Sequence, residues 1–179
     1  MRSAGWLPVL ALVACGPKAF RPLTVGDPAP RYSVPTLAGD TVEVGRARQP
    51  MLVNIWATWC VPCREEFPEL EAIAREYRDQ GLVVLAVSID VGADRGVREF
   101  VAAEGVTFRI GLDRSGAIQR EYQTVGVPES FLIDERGRLR WRKTGALRAG
   151  AEDARQAIDA ILAPADSSGP AHSDTKGTS

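Results

Sequence analysis

Residues Asn54 to Leu70 read NIWATWCVPCREEFPEL. The apolar run Met51-Leu52-Val53-Asn54-Ile55-Trp56-Ala57 leads into Cys60-Val61-Pro62-Cys63, and a charged segment follows. A short, mostly apolar run of this kind predicts a strand buried on both faces. Beyond the cysteines, Leu70, Ile73, Ala74 and Tyr77 fall at i, i+3, i+4 and i+7, which predicts a helix with one inward face. Pro68 lies inside that pattern and predicts a kink, because it lacks a backbone donor and crowds the preceding turn. Gly81 ends the helix. The cysteines therefore fall where the C-terminal end of a buried strand meets a helix N-terminus, the edge at which open α/β sheets place their chemistry.

Working outward, Tyr32 to Leu37 and Thr41 to Val44 flank Ala38-Gly39-Asp40, a hairpin signal with glycine in the turn. Leu82 to Ile89 predicts a second buried strand. Residues 95–104 predict a helix with Val97, Phe100 and Val101 on one face, Phe108 to Leu112 a short strand, and Ser115 to Tyr122 a short helix. Ser130 to Asp134 and Leu139 to Arg142 flank Glu135-Arg136-Gly137 as a second hairpin, and Ala154, Ala157, Ile158, Ile161 and Leu162 stripe a last helix. Strands alternating with helices and closed by a hairpin and a helix predict an α/β domain around a mixed sheet.

The 179 residues suffice for one domain with extensions, and the net charge of -1 leaves no basic excess for a nucleic acid. Arg138, Arg140 and Arg142 alternate, as on the solvent face of a strand, with Lys143 beside them. At the start of the chain, one arginine precedes an apolar stretch too short to span a bilayer but suited to a secretory signal. Leu12-Val13-Ala14-Cys15 resembles a bacterial lipobox. The expected organisation is a signal segment 1–14, a lipidated Cys15 opening a Pro/Gly-rich tether 15–25, a domain 26–163, and a disordered tail 164–179 without large apolar residues. Acylation of Cys15 implies attachment to a membrane on its extracytoplasmic (in a two-membrane bacterium, periplasmic) side, where disulfides persist. Of three cysteines, Cys60 and Cys63 then have only each other.

A pair spaced this way can hold a metal, staple a fold, or exchange electrons. Structural zinc needs four ligands, and the only histidine, His172, sits in the tail. A Cys-His hydrolytic dyad fails for the same reason. Two thiolates could still carry a soft metal such as Cu(I). As a staple the pair closes too short a loop to constrain the unfolded chain much. Redox exchange fits better. A helix N-terminus stabilises the thiolate of Cys60, which is expected exposed and with a lowered pKa, while Cys63 one turn further in is shielded but within reach.

The chain resembles the thioredoxin-like family, and within it the membrane-tethered TlpA/ResA/CcmG-like thiol–disulfide oxidoreductases. The likeness spans about residues 25–162 through VGDPAPRYSVPTLAGDTVEV, MLVNIWATWCVPCREEFPEL, VVLAVSID and VGVPESFLIDERGRL. It implies a thioredoxin-like fold with an N-terminal hairpin extension and an inserted strand–helix element. It also implies a redox disulfide Cys60–Cys63, with Cys60 as nucleophile and Cys63 resolving. Glu66 would manage protons near the dithiol, Pro128 would be the cis-proline, and Trp59, Pro62, Val127 and Pro128 would face substrate. No cofactor or metal is implied. The expected partners are a protein disulfide, for instance in apocytochrome c or an oxidase copper-site protein, and a membrane thiol donor; the chain is expected to be monomeric. Related peroxidases share the GDPAP opening but generally keep a lone peroxidatic cysteine, so Cys63 points to dithiol exchange. A copper-delivery module using both thiolates is the alternative from another class.

Overall fold

The computed structural model describes residues 22–46 and 48–163. The signal segment, Cys15, the first part of the tether, His172 and the tail lie outside the described residues. Among the described residues seven strands and five α-helices follow in chain order: β1 (Tyr32–Pro35), β2 (Thr41–Val44), β3 (Met51–Trp56), α1 (Val61–Glu65), α2 (Phe67–Tyr77), β4 (Val83–Ser88), α3 (Arg95–Glu104), β5 (Arg109–Leu112), α4 (Ala117–Glu121), β6 (Glu129–Ile133), β7 (Leu139–Thr144) and α5 (Glu152–Leu162).

The main sheet has the order β5-β4-β3-β6-β7. β3, β4 and β5 run parallel, whereas β6 and β7 are antiparallel to their neighbours. The sheet is therefore mixed, as the alternation predicts. β3 lies at its centre and is buried at every residue, including the polar Asn54. A strand covered on both faces can afford no water-facing alternation, which is why it appears as a continuous apolar run. The strand–helix element β5–α4 belongs to the main sheet, with β5 as its edge.

β1 and β2 form a separate two-stranded ribbon, bridged to β5 at Thr36 and Gly111. Gly45 closes the ribbon with φ +71°, and an added Cβ would lie 2.3 Å from the Pro30 carbonyl oxygen. The backbones meet too closely for any side chain. Gly45→Ala is expected to cost about 2 kcal/mol or more, read as a lower urea midpoint at unchanged slope.

Leu70, Ile73, Ala74 and Tyr77 are all buried, on the inward face that their spacing predicts. The kink is sharper than expected: the chain forms two helices separated at Glu66. Pro68 has no N–H for the Arg64 carbonyl and its ring would strike it, so the first helix stops and a second begins with Pro68 in its first turn. Before Gly81, a 3-10 turn, Arg78–Gln80, tightens the end of α2, and Gly81 takes φ 87°. Trp56, Phe67, Phe100 and Phe108 pack edge-on or tilted with centroids 4.5–5.4 Å apart, joining β3, α2 and α3 beneath the cysteine turn.

Arg142 departs from the expected solvent face. Its side chain is only 15% exposed and pairs at 2.6 Å with Glu129, which is wholly buried. Arg138 and Arg140 remain exposed. The β6–β7 pairing slips between Leu132 and Ile133, with one extra residue on β7 between Leu139 and Trp141, so the alternation is broken between Arg138 and Arg142 and Arg142 meets the 123–127 loop, which alternation alone cannot register.

Candidate active site

Cys60 is the N-cap residue of α1, with Pro62 in the first turn. Its Sγ accepts the Cys63 N–H at 3.3 Å, occupying the place that a Ser or Asp oxygen takes in an ordinary cap. Negative charge on Cys60 would thus meet an amide donor at a helix N-terminus, the arrangement that lowers a thiol's pKa. Sγ also lies 3.6 Å from the Val127 carbonyl oxygen. In the disulfide this is a contact only; a reduced Cys60 thiol has a proton to donate there.

Cys60 and Cys63 are joined as a disulfide. Cys63 is fully buried, and Cys60 is only 6% exposed. The expected exposure of Cys60 is corrected by this geometry. As N-cap, its sulfur turns back over the first turn and is covered by the Val127 segment. The residues on either side, Trp59 and Val61, carry the exposure instead.

The Val127–Pro128 peptide bond is cis. Pro128 is buried, with its carbonyl accepting Gly145 N–H at 2.9 Å, and Val127 is half-buried against the sulfur. The fold brings Trp59, Cys60, Val127 and Pro128 to one end of the sheet, although 67 residues separate Cys60 from Val127.

Glu66, at the break between the helices, is fully buried. Its Oε1 accepts from Asn54 Nδ2 and its Oε2 from Leu147 N–H, both at 2.8 Å. Burial lifts its carboxyl to about 7, against the opposing pull of the Leu147 and Asn54 donors. It lies three residues beyond Cys63 in the chain, at the end of the short helix that holds Cys63. Asn54 Nδ2 also donates to Ser130 Oγ at 3.0 Å, and Asn54 Oδ1 has no hydrogen-bond partner among the described residues. A polar network therefore lies under the disulfide in an otherwise apolar core.

Several supporting residues carry no local sequence signal of their role. Asp90 accepts Thr58 N–H at 3.0 Å, Thr58 Oγ1 at 2.6 Å and Ser88 Oγ at 2.7 Å, bracing the turn that presents Trp59. Glu129 accepts Val125 N–H at 3.1 Å, Arg142 Nε at 2.6 Å and Thr144 Oγ1 at 3.0 Å, bracing the loop before Pro128. The available signal was a polar residue inside an apolar strand: Asn54 in β3, and Glu129 and Ser130 opening β6.

Residues 25–142 match the AhpC/TSA family. The chain is 36% identical over 115 residues to the thioredoxin-like protein YneN of Bacillus subtilis (strain 168), covering 63% of this chain and 66% of that one. It is 28% identical over 142 residues to the thiol-disulfide oxidoreductase ResA of Bacillus thuringiensis subsp. konkukian (strain 97-27), covering 73% and 82% respectively. A crystal structure assigned as a thiol:disulfide interchange protein DsbE from Chlorobium tepidum matches with TM-score 0.72 and 32% identity, over 78% of this chain and 99% of that chain.

Proposed function

The chain belongs to the AhpC/TSA family and is a thiol–disulfide oxidoreductase of thioredoxin-like fold, related to ResA and DsbE, and on that premise we propose that it reduces protein disulfides outside the cytoplasm while held to a membrane through Cys15. The observation that carries the chemistry is the Cys60–Cys63 disulfide, with the Cys60 sulfur set between the Cys63 N–H and the Val127 carbonyl.

In the reaction, the Cys60 thiolate attacks one sulfur of the substrate disulfide. A bond forms between Cys60 and that sulfur, and the other substrate sulfur leaves as a thiolate. Cys63, once deprotonated, attacks Cys60 Sγ, closes the Cys60–Cys63 disulfide and releases the second substrate thiolate. The substrate gains two electrons and the protein loses two. Glu66 takes the proton from the buried Cys63 thiol and returns it on re-reduction. Trp59, Pro62, Val127 and Pro128 form the surface that receives the substrate chain. A second cysteine already bonded to the first supports dithiol exchange over a lone-cysteine peroxidase.

The substrates on this reading are protein disulfides such as those of apocytochrome c or the copper site of a respiratory oxidase, and a membrane thiol donor restores the dithiol. Among the described residues no helix is long and apolar enough to cross a membrane. The deciding experiment is a redox titration of the Cys60–Cys63 pair. A potential near that of thioredoxin, about -270 mV, supports reduction, whereas one near that of DsbA, about -120 mV, overturns it. Tight Cu(I) binding with negligible reductase activity would instead favour metal delivery.

The Glu66 role carries its own test. Its carboxyl titrates near 4.5 when unfolded and near 7 when folded. Between those values the folded state holds a proton that the unfolded chain has released, so stability falls as pH rises from about 4.5 to about 7. The linked cost is about 3 kcal/mol at pH 8. Glu66→Gln should remove this slope: urea melts of the oxidised protein should find it more stable than the parent at pH 8, with the gap closing towards pH 4.5. A parallel pH dependence in both proteins would refute a raised Glu66.

A further inference from the structure

We propose that the end of the sheet bearing the dithiol faces the bilayer, so that the enzyme acts on disulfides of polypeptides held at the membrane surface rather than on freely diffusing ones. This rests on the reading of Cys15 as the anchor and follows from where the two ends of the chain meet the fold.

The segment from Leu23 to Pro28 lies along the edge strand β7 and runs antiparallel to it. Arg142 donates to the Leu23 carbonyl at 3.2 Å, Gly26 N–H donates to Leu139 at 2.7 Å, and Pro28 bridges to Arg138. β7 ends beside Glu129, which is paired with Ile55 near the end of β3, just below the cysteine turn. Followed back from Pro28 to Leu23, the chain thus climbs from the far end of the sheet to the dithiol end. Arg142 also donates to the Gln123 carbonyl at 3.1 Å, which sets Leu23 beside the loop leading to Pro128.

The other terminus leaves from the opposite end. Leu147 and Gly150 donate to Glu66 and Glu69 near the disulfide. From there α5 runs away for 11 residues, about 16 Å. Its last turn lines a cleft with Pro50, Gln80 and Asp134, where β3 begins and β6 has ended.

Length converts this into orientation. Seven residue steps separate Cys15 from Pro22, a span of at most about 25 Å. A domain of this size is roughly 35–40 Å across. An anchor at Cys15 therefore cannot let the domain turn its dithiol end to the far side, since the tether is shorter than the domain. The face itself suits such a setting. Among the described residues, the exposed large apolar side chains are Trp59, Val61, Val91 and Val125 at this end, and Val25 on the entering segment. Tryptophan in particular is at home in the interfacial layer.

The test compares two anchoring points on the mature chain, residues 15–179, carrying Cys15→Ser. Six histidines are inserted directly after Gly16 or directly after Ser168, each leaving five residues before the described domain. Both forms are bound to phosphatidylcholine vesicles containing nickel-chelating lipid. The substrate is an acylated peptide whose disulfide loop lies a few residues from the bilayer, and the same peptide without its acyl chain is assayed in solution. The N-terminally held form should reduce the bilayer-held disulfide at least about tenfold faster than the C-terminally held form, with equal rates on the soluble peptide. Equal rates on the bilayer-held peptide, or a faster C-terminally held form, would overturn the orientation. Mass analysis of Cys15 in the full chain expressed in bacteria tests the anchor separately: an unacylated Cys15 defeats the membrane reading whatever the vesicles show.

Discussion

Changing Cys63 to Ala should turn the enzyme into a trap. With insulin as substrate, the variant should accumulate a mixed disulfide through Cys60, visible on a non-reducing gel and dissolved by dithiothreitol. Steady-state reduction should fall by at least about three orders of magnitude. Cys60→Ser should lose turnover to a similar degree and accumulate no adduct, because a hydroxyl in that place is neither ionised nor able to form a disulfide. The asymmetry has a structural basis. Cys63 is fully buried and Cys60 retains a sliver of surface; only Cys60 has a helix N–H directed at its sulfur and the Val127 carbonyl alongside. A Cys63→Ala protein that still turned over, or a Cys60→Ser protein that trapped substrate through Cys63, would reverse the two roles.

The second large effect concerns a residue that touches neither sulfur. Arg142→Ala should destabilise the protein by about 3–5 kcal/mol, because it strands the Glu129 carboxylate in a site with no access to water. Three further contacts go with the guanidinium: the carbonyls of Leu23 and Gln123 and the face of Phe131. Urea unfolding provides the measurement. Replacing both members, Glu129→Leu with Arg142→Met, should recover most of the lost stability, since the cost lies in an unpaired buried charge and not in the absence of a pair. The recovered protein should still bind substrate poorly, with KM raised and kcat less affected. Val125 N–H loses its Glu129 partner, and the loop before Pro128 is no longer braced. A double variant no more stable than Arg142→Ala would show that packing around Arg142, not charge burial, sets the penalty.

Most of the sheet is legible in the chain because its signals are local. The continuous apolar runs of β3 and β4, the glycine turns of the two hairpins and the 3.6-residue stripes of α2 and α5 each specify an element without reference to the others. The break after α1 was half legible. Pro68 announces a disturbance, but whether a helix bends or stops depends on what buries the gap, and here Glu66 fills it with bonds to Asn54 and Leu147. The cover over Cys60 is illegible for a similar reason. The cysteine's place at a helix start is local, whereas its cover comes from Val127, 67 residues away.

By itself the sequence determined the class of fold and narrowed the chemistry to what two neighbouring thiols can do. Two cysteines at Cys-x-x-Cys spacing, a buried strand before them and a helix behind them admit few uses once histidine is absent from the domain, and those features are fixed by residue type and spacing. The tertiary structure decided which distant groups surround the sulfur and how the domain is presented. The Val127 carbonyl, the network of Glu66, Asn54 and Ser130, the inward turn of Arg142 and the arrival of the N-terminal segment at the dithiol end all depend on strand order and register. Spacing along a chain prescribes which face a side chain takes, while its partners across the fold are chosen only when the sheet closes and buried polar groups must find one another.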